Sequence, residues 1–199
     1  MRSWRQCLGT SVVAGVTAVG GMVAVPAALA GPAPGDLLRL GFQLVNLNSQ
    51  KCLTVTAAGL DDNAILIQRR CTREAADRWR FVRAGDTGMY LVENVNSGKC
   101  LTIAGDSVEE NGFAVQGACG GDPSGQWRIR RQAGALLPVP ASDARLENGR
   151  SGRCLTIAGG SDAENGVAVQ YTCDTELSRR WSMRLVAGPA VEGRYRPQA

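Results

Sequence analysis

Arg153-Cys154-Leu155-Thr156-Ile157, then Val169-Gln170-Tyr171-Thr172-Cys173, then Trp181: this series decides the fold, because the chain carries it three times. Lys99-Cys100-Leu101-Thr102-Ile103 leads to Cys119 and Trp127, and Lys51-Cys52-Leu53-Thr54-Val55 leads to Cys71 and Trp79. In each copy the two cysteines stand 19 residues apart, and the tryptophan follows the second by 8. Two fixed spacings kept through three copies mark an internal repeat, which has to be recognised before any other fold argument.

Outward from these markers the copies stay in register. Leu44, Val92 and Leu146 stand eight residues before the first cysteine, and Asn46, Asn94 and Asn148 six before it. Asn63, Asn111 and Asn165 fall eleven after it, and Gln68, Gln116 and Gln170 sixteen after. Glu93–Trp127 and Glu147–Trp181 share 20 identities in 35 positions.

Each copy reads as four short strands. Phe42-Gln43-Leu44-Val45-Asn46 and Tyr90-Leu91-Val92-Glu93-Asn94 are rich in β-formers and end in Asn-Ser-Gly punctuation. The Cys-Leu-Thr-Val/Ile segment follows. Asn111-Gly112 and Asn165-Gly166 suit a tight hairpin turn, since both residue types tolerate positive φ. Beyond that turn Val167, Val169 and Tyr171 share one face of a strand by their period of two. The fourth strand holds the tryptophan, as in Trp79-Arg80-Phe81 and Trp127-Arg128-Ile129. No stretch beyond the N-terminal segment shows helical periodicity, so the chain is expected to be all-β. A propeller normally needs at least four blades. Three four-stranded units, each giving Leu/Val, Leu, Ile/Val and Trp to one core, point to a three-fold barrel.

Composition narrows the chemistry. The 199 residues include no histidine, which removes Ser-His-Asp and Cys-His pairs, His-ligated zinc and His-based pH switching. Arg2 and Arg5 precede an apolar run, Ser11 to Ala28, that ends in Ala28-Leu29-Ala30. This is the pattern of a signal peptide over residues 1–30, with cleavage before Gly31. The run is long enough for a membrane anchor, but its Gly and Ala content, Pro26 and the cleavage site favour export and removal. Without Arg2 and Arg5, 20 of the 22 basic residues remain against 18 acidic ones. So small a net charge argues for neither a nucleic-acid groove nor an anionic membrane as partner. No second apolar run follows, so no membrane insertion of the mature chain is expected.

In an exported protein the six remaining cysteines are expected to form three disulfides. Sequence alone permits 15 pairings. The recurring spacing favours Cys52–Cys71, Cys100–Cys119 and Cys154–Cys173. No Cys-x-x-Cys occurs and no cofactor is called for. Glu109-Glu110 and Asp61-Asp62 are paired acids, but neighbours on a turn face different ways. A glycosidase needs two carboxylates opposed across a cleft, so no enzymatic activity is expected.

Cys-Leu-Thr-Ile … Val-Gln-Tyr-Thr-Cys … Trp resembles the ricin B-type lectin repeat, the three-copy β-trefoil module. The resemblance runs from Leu40 to about Val186. It implies a trefoil over residues 40–186, with repeats at about 40–83, 88–131 and 144–186, and flexible segments at 31–39 and 187–199. In that family the two cysteines of a repeat are bonded to each other, and the tryptophan belongs to a Gln-x-Trp core element. The family's binding repeats carry an aspartate two residues after the first cysteine, where this chain has Thr54, Thr102 and Thr156. A hydroxyl cannot accept two charge-assisted bonds as a carboxylate does. The stacking aromatic, two residues before the second cysteine, becomes Arg69, Gly117 and Tyr171; the glutamine of Gln-x-Trp becomes Asp77, Gly125 and Arg179.

Only the third repeat keeps a ring. The resemblance therefore implies a carbohydrate site built from Tyr171, Thr156, Asn165 and Arg179, with the first two repeats structural. Asn63, Asn111 and Asn165 also read as turn residues, and the repeated glutamines as partners of the backbone. Six extra residues after Trp127 fall within 132–141, where Leu136, Leu137 and Val139 form a possible partner-contact loop. The reading that results is a secreted, non-catalytic binding protein whose partner is a glycan, acting as a free lectin or a subunit. The alternative is a sugar-silent trefoil that binds a secreted protein, as an adaptor or a protease inhibitor.

Overall fold

A computed structural model describes residues 41–131 and 142–186. The expected signal peptide 1–30, the segments 31–39 and 187–199, and Leu136, Leu137 and Val139 lie outside the described residues.

Twelve strands follow one another in three sets of four. The first set is β1 (Phe42–Asn46), β2 (Cys52–Val55), β3 (Leu66–Arg69) and β4 (Trp79–Arg83). The second is β5 (Tyr90–Asn94), β6 (Cys100–Ile103), β7 (Ala114–Gly117) and β8 (Gln126–Arg131). The third is β9 (Ala144–Asn148), β10 (Cys154–Ile157), β11 (Ala168–Tyr171) and β12 (Trp181–Leu185). Short 3-10 turns interrupt them, and no α-helix occurs among the described residues.

Outer strands of the sets close a six-stranded antiparallel barrel. β1 pairs with β4 and β12, β5 with β4 and β8, and β9 with β8 and β12. The long ladders join one repeat to the next: Phe81 faces Val92, Ile129 faces Leu146, and Met183 faces Leu44 across the first–third seam. The hairpins β2–β3, β6–β7 and β10–β11 meet through the bridges Ile65–Val115, Phe113–Val169 and Ile67–Val167. This is the three-fold barrel to which the spacing points, and the β-trefoil that the resemblance implies.

The repeated apolar positions form the core. Leu44, Val92 and Leu146, Leu53, Leu101 and Leu155, Val55, Ile103 and Ile157, and the three tryptophans are all buried in one cluster. Each fully buried aliphatic side chain contributes about 1.5–3 kcal/mol. A buried indole N–H needs an acceptor, and each copy supplies the same one. Nε1 of Trp79, Trp127 and Trp181 donates to the carbonyl of Leu53, Leu101 and Leu155 at 3.0, 2.9 and 2.9 Å.

Buried amides fasten the repeats. The side-chain oxygens of Asn46, Asn94 and Asn148 each accept two backbone N–H groups of the following turn. Their amide nitrogens donate to the carbonyls of Ser178, Ala76 and Ser124. Gln68, Gln116 and Gln170, all fully buried, each donate to two carbonyls of a neighbouring repeat's loop. The sequence reading of these glutamines as backbone partners is correct, although the partners belong to another copy. Three disulfides join Cys52–Cys71, Cys100–Cys119 and Cys154–Cys173, one inside each repeat.

One expectation fails. Asn111-Gly112 is not a two-residue hairpin turn, because β6 ends at Ile103 and β7 begins at Ala114. Asn63, Asn111 and Asn165 do take positive φ, at 62°, 61° and 62°. Gly112 and Gly166 are instead fixed by crowding: a Cβ there would stand 3.0 Å from Nε2 of Gln170 and of Gln68. The inter-repeat glutamine shares this crowding with Cγ2 of Ile103 and of Ile157, at 3.2 and 3.0 Å from the same Cβ positions.

Candidate functional site

In each repeat the second strand, the third strand and the 3-10 turn before the tryptophan converge. The third copy brings Thr156 from β10, Tyr171 from the end of β11, and Ser178 and Arg179 from the turn Leu177–Arg179. Together with Glu176 and Asn111 they line a cavity of about 370 Å³. Three of the four expected residues, Thr156, Tyr171 and Arg179, therefore meet.

Asn165 is the exception. It is absent from that cavity lining, and its N–H donates to the carbonyl of Gln68 in the first repeat. Asn111, its counterpart from the second repeat, takes the place expected of it. The reason is topological: the far end of each β2–β3-type loop bonds to the next repeat's hairpin, so that the third loop contributes Gly159 and Gly160 to this cavity while its Asn165 lies against the first repeat.

Inside the cavity the Thr156 hydroxyl and one nitrogen of Arg179 are committed. Thr156 is 3% exposed, and its hydroxyl donates to the Ser178 carbonyl at 3.0 Å. The Arg179 guanidinium lies 4.8 Å from the centre of the Tyr171 ring, within cation–π range. Its Nη1 donates to Asp174 at 2.8 Å and Glu176 at 2.5 Å, which neutralises it twice over. Beside the cavity residue Asn111, Glu110 accepts hydrogen bonds from the Thr172 hydroxyl and from Arg153 Nη1, the latter at 3.2 Å. The Thr172 hydroxyl above all holds the Glu110 carboxyl below the usual range, against an opposing desolvation and with the nearby Arg153 charge adding to the lowering.

The other two copies are built differently. At the position of Tyr171 the first repeat has Arg69, whose Nη2 donates to Glu74 at 2.7 Å and reaches the buried Asp77 at 3.5 Å. Asp77 in turn accepts from the Thr72 N–H and hydroxyl at 2.9 and 2.6 Å. Where a ring would lie, the first copy has a filled charge network. The second repeat has Gly117 and Gly125, with Thr102 and Ser124 hydroxyls 3.2 Å apart and Ser124 donating to Asp106 at 2.6 Å. The Ser124 N–H, bonded to Asp122, is the chief reason that carboxyl lies below its usual range. Among the described residues no group of three or more His, Cys, Asp or Glu side chains could hold a metal ion.

Glu110, Asn111 and Glu176 were not picked out as site residues from sequence. A signal for the first was there. Lys51, Lys99 and Arg153 precede the first cysteine of each copy, and Asp62, Glu110 and Glu164 stand ten after it. The structure pairs them cyclically across repeats: Lys99–Asp62 at 2.7 Å, Arg153–Glu110 at 3.2 Å and Lys51–Glu164 at 3.7 Å.

A closed barrel of three copies, each with its own disulfide, makes this a β-trefoil, and its copies differ at both site positions, Arg69, Gly117 and Tyr171 at one and Asp77, Gly125 and Arg179 at the other. The chain belongs to the ricin-type β-trefoil lectin domain-like family, whose model matches residues 38–115 and 77–143. No curated protein matches it. Among solved structures it is similar to the designed three-fold symmetric protein ThreeFoil, at 25% identity and a TM-score of 0.66, over 73% of this chain and 99% of that one. It is similar to a ricin B-like lectin of Macrolepiota procera in complex with lactose, at 14% identity and a TM-score of 0.61, over 79% of this chain and 100% of that one. An exo-β-1,3-galactanase from Clostridium thermocellum matches at 22% identity and a TM-score of 0.66, over 74% of this chain but only 30% of that one. The last two likenesses are of fold.

Proposed function

We propose that this protein is a secreted, non-catalytic lectin that binds one neutral sugar residue in the third-repeat cavity. One observation carries the reading. The third copy alone places an aromatic ring at the variable position, and that ring borders a cavity rimmed by hydroxyl, amide and guanidinium groups. Sugars present C–H faces to rings and hydroxyls to polar edges, so such a cavity suits them. Family membership and a relative solved with lactose support the class of ligand. The charges support neutrality: Arg179 is held by two carboxylates and Arg153 by Glu110, which leaves an anionic sugar no free cation at this site.

Isothermal calorimetry with galactose, xylose and their neutral oligomers tests the reading. We expect saturable heat with the wild type and none with Tyr171→Ala. Equal binding by both proteins contradicts the site, and failure of every neutral sugar contradicts the function. Export is supported by the Ala28-Leu29-Ala30 pattern and by three disulfides, which persist in oxidising compartments. Mass spectrometry of secreted material should find Gly31 at its N-terminus.

A further inference from the structure

The cavity beside Tyr171 is lined by Asn111, which lies between β6 and β7 of the second repeat. That loop is fastened to β11, the strand carrying Tyr171. Asn111 N–H donates to the Gln170 carbonyl and Gln170 N–H to the Gly112 carbonyl, both at 2.9 Å. Gln170 Nε2 donates to the carbonyls of Ser107 and Glu109, both at 2.8 Å. Next to Asn111, Glu110 accepts the hydroxyl of Thr172, the residue that follows Tyr171. Loop and ring therefore form one rigid unit, although they come from different repeats.

Asn111 itself is exposed, with φ at 61°, and its side-chain amide has no hydrogen-bond partner among the described residues. An amide offers two donors and an acceptor. Of the other polar groups of the cavity, the Thr156 hydroxyl is engaged by Ser178 and Arg179 Nη1 by Asp174 and Glu176, while Arg179 Nε is buried without a partner. We infer that Asn111 is a specificity-determining contact of the sugar site, so that the ligand lies on third-repeat surface and is read by a second-repeat amide. The inference rests on the third-repeat cavity being the sugar site.

Asn111→Gly isolates the claim. Glycine adopts positive φ without steric cost, so the turn is kept and only the amide is removed. Asn63→Gly and Asn165→Gly make the same change at the same φ in the other two loops. Wild type and the three variants are titrated with the neutral oligosaccharide that binds the wild type best. Asn111→Gly should raise Kd roughly tenfold, the loss of about one well-made hydrogen bond. Both controls should stay within about twofold, below the effect of any single contact. Unchanged affinity in Asn111→Gly overturns the inference and leaves the sugar site standing, as does an equal loss in all three variants. Absence of binding by the wild type overturns the site and the inference together.

Discussion

At the scale of single residues, the proposed function rests on Tyr171, which contributes little to the fold. It is half-buried at the end of β11, outside the core cluster. Tyr171→Ala should leave thermal stability within about 1 kcal/mol of wild type, as truncations at partly exposed sites do, while abolishing sugar binding. Asp143 makes the opposite kind of contribution. Hydrogen bonds from the Arg180 guanidinium hold its carboxyl below the usual carboxylate range, with Arg145 adding to the effect. A carboxyl whose folded-state pKa is depressed stabilises above its unfolded value, about 3.9 for aspartate. That stability is lost as pH falls through the lower folded value. The melting temperature should therefore decline below about pH 4, and Asp143→Asn should flatten part of that decline in a calorimetric pH series. Glu110 acts with the same sign.

Legibility differs sharply among these residues. The ring at Tyr171 was readable because the repeat alignment set it against Arg69 and Gly117. The choice of Asn111 over Asn165 was not, because an alignment of copies shows equivalence and says nothing of which copy leans on which. The charge pairs illustrate the same limit. Opposite signs at matched positions were visible, but Lys99 could be assigned to Asp62 only by the pairing of repeats in space.

At the scale of elements, each hairpin depends on a local bond and a borrowed one. The local bond is the disulfide, closing a loop of about 20 residues that the chain-entropy model values at roughly 3 kcal/mol. Replacing Cys100 and Cys119 together by alanine should lower denaturant stability by about that amount. The borrowed bond is the buried glutamine. Gln116 donates to the Gly59 and Asp61 carbonyls and accepts from Ser97, so Gln116→Ala strands several polar groups at once. A loss of about 2–3 kcal/mol follows from the desolvation of unpaired groups, measurable by urea unfolding. Strand identity and the core positions were legible because alternation and spacing repeat locally. The long loops between paired strands were not. Asn-Gly signals a tight turn by its local preferences, whereas here the loop is held open by a glutamine from another copy.

At the scale of the molecule, the three copies form one unit. The longest ladders run between repeats, and the barrel closes only when β12 of the third lies against β1 of the first. A solenoid can lose a repeat and keep the rest, because its copies touch only neighbours in a row. This ring cannot. Urea unfolding followed by tryptophan fluorescence should therefore show one transition, coincident with that seen by circular dichroism. The threefold architecture was legible from two spacings alone, because three four-stranded copies need a shared core and a ring supplies one. Functional asymmetry within that symmetry is the central claim: one copy binds and two support it. The stoichiometry of sugar binding by calorimetry tests it most directly. The account predicts one site per chain in the wild type and none in Tyr171→Ala; two or three equivalent sites, or one that survives loss of the ring, would contradict it.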